Sequence, residues 1–151
     1  MILKPPEGVF QRIGSEPPKV HRVEGLRVAF SGRTLTIGEA TAETDQPILD
    51  AVYAGGYVVV LLDPEGYGTD SPNFERNVMA YDLRGRAIWR IGKSQGGFTE
   101  KGVRHYSPYT RIAAIFDARF VEVSEVHGLD HDVVPETGYM FNQRIRPDYT
   151  G

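Results

Sequence analysis

The 151-residue chain contains no cysteine. That absence excludes a disulfide framework, a thiolate metal site and a cysteine nucleophile. Long apolar stretches are missing as well. The longest wholly aliphatic run is Val58 to Leu62, far short of the ~20 residues that cross a bilayer as a helix, so no membrane partner is expected. The first ten residues, MILKPPEGVF, hold one lysine and no apolar segment. No secretory signal is read there, and a cytoplasmic location is the expectation. Helical periodicity is equally scarce, since no window supports a long amphipathic helix. What the chain has in quantity is turn formers, 17 glycines and 10 prolines. Many turns imply many short strands.

Charge of one sign is absent from whole segments. Glu39 to Glu75 holds eight acidic residues and no lysine or arginine, and Arg76 to Arg111 holds eight basic residues against Asp82 and Glu100. Asp117 to Glu136 returns to six acidic against one basic. Two readings fit these blocks. Either oppositely charged segments face each other across strands, or the basic block forms a face for an anionic partner. The net charge of −3 argues against nucleic acid as that partner.

The strand signals begin after residue 19. Residues 1–19 carry Pro5, Pro6, Pro17 and Pro18 and read as an extended arm, because proline fixes φ and removes a backbone donor. Residues 20–151 then form the β body of a single domain, 1–151. LRVAF and TLTIG flank Ser31-Gly32-Arg33, ILDAVY and YVVVLL flank Ala54-Gly55-Gly56, and NVMAYD and RAIWRI flank Leu83-Arg84-Gly85. TRIAAIF and FVEVSE flank Asp117-Ala118-Arg119, and LDHDVV and YMFNQRI flank Pro135-Glu136-Thr137-Gly138. The sum is about ten strands in about five hairpins, rich in the residues that suit pleated surfaces. YVVVLL does not alternate, so it belongs in the centre with both faces covered. Trp89 is expected to be mostly buried against it. The acidic stretch Gly38 to Pro47 fits a loop or a turn or two of helix.

Residues 77–91 and 129–145 repeat one pattern: strand, glycine-bearing turn, aromatic strand, then Arg-Ile (Arg90-Ile91 and Arg144-Ile145). Each follows another hairpin, which outlines two four-stranded units, roughly 48–92 and 110–145. The expected fold is therefore an all-β antiparallel meander, with two four-stranded blade-like sheets plus an N-terminal hairpin.

At Tyr81-Asp82-Leu83-Arg84-Gly85 and Trp89 the first unit resembles the blade repeat of quinoprotein-type β-propellers. In those repeats a strand ending in Tyr/Leu-Asp precedes a glycine turn and a strand carrying Trp. Pro135-Glu136-Thr137-Gly138 resembles their D-x-x-T-G turn, with Val134 in place of the aspartate. The resemblance implies fold more than activity. Propellers normally close with four or more blades, and this chain has material for about two and a half. The sheets must then pack on each other, wrap into an irregular barrel, or be completed by a second chain. The motif is also similar to stretches in small uncharacterised bacterial proteins, some of them immunity-like, which implies an interaction role.

Chemical motifs are few. The densest polar cluster is His127-Gly128-Leu129-Asp130-His131-Asp132. On a strand, residues 127 and 131 share a face, so His127 and His131 with Asp130 are candidate zinc-type ligands. A glycine break at Gly128 would spoil that spacing. Gly92-Lys93-Ser94 resembles the end of a phosphate loop, but the glycine that motif needs is replaced by Ala87. No G-x-S-x-G elbow occurs, and no serine stands in an evident relation to a histidine and an acid. Asp63, Glu65, Asp70 and Glu75 crowd one loop; a glycosidase would need two of them across a groove.

Two long loops, 63–76 and 92–108, carry or border the remaining aromatics. Tyr67, Phe74, Tyr106 and Tyr109, with Arg104 and Arg111, have the composition of an interface anchor. Packing of those aromatics onto the sheet is the competing reading. The expectation is a non-catalytic binding or protein-interaction module with no cofactor, engaging a protein partner or a second copy of itself, while a small-molecule ligand stays open. A metal- or carboxylate-dependent enzyme using the 127–132 cluster is the alternative, and a self-associating structural subunit is another.

Overall fold

The computed structural model describes residues 21–94 and 106–146; the expected N-terminal arm and Arg104 lie outside them. Among the described residues twelve strands form three four-stranded antiparallel sheets. β1 (His21–Val23), β2 (Leu26–Ser31), β3 (Thr34–Ile37) and β4 (Ala40–Glu43) make the first. β5 (Ile48–Ala54), β6 (Tyr57–Leu62), β7 (Val78–Tyr81) and β8 (Ala87–Arg90) make the second. β9 (Tyr109–Ile115), β10 (Phe120–Glu125), β11 (Leu129–Val133) and β12 (Met140–Ile145) make the third. Each sheet is an up-and-down meander in chain order. Short 3₁₀ turns at Pro64–Gly66 and Pro72–Glu75 occupy the β6–β7 loop, N-capped by Asp63 and Ser71. Among the described residues no helix is long and apolar enough to cross a membrane.

All five expected hairpins form, and the two repeat units coincide with the second and third sheets. The N-terminal hairpin gains a strand on each side and becomes a full sheet. Its fourth strand, β4, lies in the acidic stretch expected to be loop or helix. There Ala42 pairs with Leu35 on the buried side while Thr41 and Glu43 point out. A two-residue alternation of this kind is enough once a ladder is available, whatever the intrinsic preference of Ala and Glu.

The second sheet is the middle layer, and β6 shows why it reads as continuously apolar. Val58, Val60 and Leu62 belong to a core shared with Val28, Phe30, Leu35 and Ile37 of the first sheet. Val59 and Leu61 belong to another core, shared with Ile112, Val121, Val123 and Val133 of the third. One strand thus serves two core layers by alternation. The outer sheets each keep one face out of these layers. On the first sheet that face carries Arg27, Ser31, Thr34, Thr36, Thr41 and Glu43, with Thr34 Oγ1 donating to Glu43 Oε1 at 2.6 Å. Such a face ends the stack rather than inviting another sheet, as capping units do in repeat folds.

A buried amide ties the second sheet to the third. Asn77 is fully buried; its Nδ2 donates to the carbonyls of Leu62 and Tyr109 at 2.9 Å, and its Oδ1 accepts the Tyr109 N–H at 2.9 Å. It therefore fixes where β9 starts relative to β6. Trp89 is half-buried on β8, at the sheet edge rather than in its centre. Its position opposite Ala80, which pairs with Val59, puts it on the core face toward the third sheet. Its Nε1 donates to the Pro135 carbonyl at 2.7 Å. The ring lies so close to Gly138 (φ 79°) that a Cβ there would come within 2.8 Å; only glycine fits.

Candidate functional site

The sequence-selected aromatics do not gather. Tyr109 is fully buried, its hydroxyl donating to the Gly92 carbonyl at 2.8 Å, and burial raises that hydroxyl's pKa, helped by the Glu125 carboxylate. It is a core residue. Tyr67 hydrogen-bonds Asp45, and the Arg90 guanidinium stacks on its ring at 5.6 Å; burial and Asp45 push its pKa up to about 12. Phe74 and Tyr106 meet edge to face at 5.9 Å. They stand beside a polar hollow of about 320 Å³ lined by Asp70, Glu75 and Lys93 among others. Arg111 lies apart, on the outer face of the third sheet, with a guanidinium N–H 3.3 Å from Ser124 Oγ. Loop carboxylates serve the backbone: Asp63 accepts from Glu65 N–H at 3.0 Å, and buried Glu75 accepts from Ser107 N–H at 3.2 Å.

The candidate metal ligands are also separated. His131 pairs with Val123 and so shares the core face, whereas Asp130 pairs with Ser124 on the opposite one. His127 sits in the turn before β11, its Nε2 3.0 Å from the Tyr106 carbonyl oxygen. Among the described residues no three His, Asp or Glu side chains group to hold a metal. Gly128 (φ 92°) breaks the strand spacing that the ligand reading required.

Three features missed in the sequence come together on the third sheet instead. The first is the β9–β10 turn. Phe116, Asp117 and Ala118 have φ of 53°, 55° and 58°, three successive left-handed residues without a glycine. Each costs roughly 1–2 kcal/mol. The turn is held because Ala118 is buried and its carbonyl accepts the Gly55 N–H at 2.7 Å. Gly55 itself (φ 57°) is packed within 3.1 Å of Pro135, measured from a Cβ built on it. The strained turn leaves Phe116 61% exposed.

The second feature is the run of rings that begins there. Phe116 meets Phe120 edge to face at 6.0 Å, and Phe120 meets Phe141 at 5.3 Å. Phe141 in turn lies parallel to Tyr139, 66% exposed, at 6.4 Å. Beside this run stands a charge network. Arg144 pairs with Asp132 at 2.8 Å and with Glu122, and Asn142 Nδ2 donates to Asp132 Oδ2 at 2.9 Å. Burial would lower the guanidinium's pKa, but its bonds to Asp132 and Glu122 outweigh that and keep it charged.

The third lies under the same sheet, on its core side. Ser94 Oγ and His131 Nε2 are 3.0 Å apart, both side chains buried. Burial lowers the imidazole's pKa against the pull of Glu125 and Asp130. Glu125, fully buried, uses one carboxylate oxygen to accept the Leu129 N–H at 2.8 Å, while the other has no hydrogen bond among the described residues. The contact joins residues 37 positions apart, so no local motif could announce it. The phenylalanines either side of Asp117 and the Tyr139-Met140-Phe141 triplet were visible. They read only as strand residues, since aromatics suit strands.

Residues 26–144 match the family model described as a domain of unknown function, DUF7957, and the chain belongs to that family. No curated protein and no solved structure matches the chain.

Proposed function

We propose that this DUF7957 domain is a non-catalytic protein-interaction module, acting in the cytoplasm, whose contact surface is the aromatic end of the third sheet's outer face. The observation that carries the reading is the left-handed turn Phe116–Ala118. A backbone that holds an aromatic ring in solvent at a conformational cost of about 1–2 kcal/mol per residue does so against its own stability. Strain of that kind persists where a function selects it. Exposed rings grouped with a paired arginine have the composition of interface hot spots. The β5–β6 turn packs on the β9–β10 and β11–β12 turns, through the Gly55 N–H to the Ala118 carbonyl and Gly55 against Pro135, and Trp89 of β8 packs on Gly138, so the surface is preorganised and loses little entropy on binding.

The meander order of each sheet supports the blade-like resemblance, and in an immunity-like role the partner would be a toxin to be masked. The polar outer face of the first sheet argues against completing a propeller with further blades. The test is affinity capture from the source cells with the wild type and with Phe116→Ala/Tyr139→Ala, partners being identified by mass. One defined partner should be captured by the wild type and lost by the double variant, whose melting temperature stays within a few degrees of wild type. Equal capture by both proteins would remove the surface from the account.

A further inference from the structure

The β11–β12 ladder is interrupted opposite His131. Asp130 pairs with Arg144 and Asp132 with Phe141, so a single residue of β11, His131, faces two of β12, Asn142 and Gln143. This is a β-bulge, with Asn142 in the left-handed region at φ 55°. Bulges open a ladder locally and re-aim side chains, and they recur beside functional sites. Here the opening is a cavity of about 350 Å³ lined by His131, Tyr139, Met140, Phe141, Asn142 and Gln143. That volume lies at the lower end of the small-ligand range.

The lining specifies a ligand chemistry. Among the described residues its lining contains no Asp, Glu, Lys or Arg, so these residues supply no counter-charge for a charged ligand. Tyr139 and Phe141 present parallel planes, 9° apart, and Met140 adds a polarizable thioether; together they favour a flat ring over a puckered one. Gln143 offers an amide, both donor and acceptor, which matches the mixed edge of a heteroaromatic ring, while the Asn142 amide is oriented by its bond to Asp132. His131 is 4% exposed, lines the cavity, and has its Nε2 3.0 Å from Ser94 Oγ, so it is the buried polar side chain of the site.

We propose that the cavity at the β11–β12 bulge is a binding site for an uncharged planar heteroaromatic ring of the nucleobase kind, with His131 as its buried polar anchor and Tyr139 as its stacking wall. This goes beyond the interaction reading and does not depend on it. The experiment is isothermal titration of the whole chain with adenosine, guanosine, cytidine and uridine, with ribose and maltose as sugar probes. At least one nucleoside should bind saturably at one site per chain. Tyr139→Ala, at an exposed position, should keep the wild-type melting curve and weaken binding about tenfold or more. His131→Gln should weaken it comparably, and Phe116→Ala should leave it unchanged, because Tyr139 belongs to both surfaces but Phe116 does not line the cavity. No saturable nucleoside binding at millimolar concentration, binding by the sugars alone, or equal affinity in Tyr139→Ala would each overturn the assignment.

Discussion

Asn77 shows how much of this fold rests on single polar side chains. It is completely buried between two sheets and makes three hydrogen bonds at 2.9 Å to the backbone of Leu62 and Tyr109. Asn77→Ala strands the Tyr109 N–H and carbonyl in a dry layer, and each orphaned group costs about 1–3 kcal/mol. Chemical denaturation should therefore show a loss of about 3 kcal/mol or more. A loss under about 1 kcal/mol would mean that water replaces the amide. His131 gives a second residue-scale expectation. Its folded-state pKa is depressed below the ordinary 6.5, chiefly by burial. The unfolded chain then binds the proton more readily than the folded one. Its neutral ring is fully compatible with the fold above pH 6.5, and stability falls as the pH drops below that value toward the folded pKa. The melting temperature of wild type should decline more steeply than that of His131→Gln as the pH is lowered below about 6.5. Parallel curves would place the titration elsewhere.

At the scale of elements, the hairpins were legible because glycine-bearing turns separate runs of β-branched and aromatic residues, as at Gly55-Gly56 and Gly85. The β9–β10 turn was legible only as a turn. Asp117-Ala118 gives no hint of three left-handed residues, since such a conformation is imposed by the Gly55 N–H and the buried Ala118 methyl, both tertiary contacts. β4 was missed for the same reason: its neighbour β3 stabilises a strand its own residues do not favour. Tyr109 could not be told from an interface residue, because a tyrosine after a long loop looks the same whether it anchors the loop or a partner. The turn's strain has a direct consequence. Asp117→Gly removes a left-handed penalty of roughly 1–2 kcal/mol and adds back part of it as unfolded-state entropy. The variant should be more stable by about 0.5–1 kcal/mol in urea. A destabilised variant would show that the Asp117 side chain supports the turn.

For the whole molecule, the governing fact is that three sheets enclose two apolar layers, with β6 serving both. The all-β class and the central place of YVVVLL followed from composition and from the lack of alternation in that strand. The polar outer face of the first sheet could not be read from the repeats, which describe strands and not what covers them. The two outer faces also differ in kind. The first sheet presents threonine, arginine and glutamate, and the third presents a run of rings beside a paired arginine. We infer that this difference is functional. In-cell photo-crosslinking tests it, with a photoreactive phenylalanine analogue placed at Phe116 in one protein and at Thr36 of the first sheet in another. A discrete crosslinked species, to a partner protein, is expected from position 116 and none from position 36. The same products from both positions, or products from position 36 alone, would contradict it.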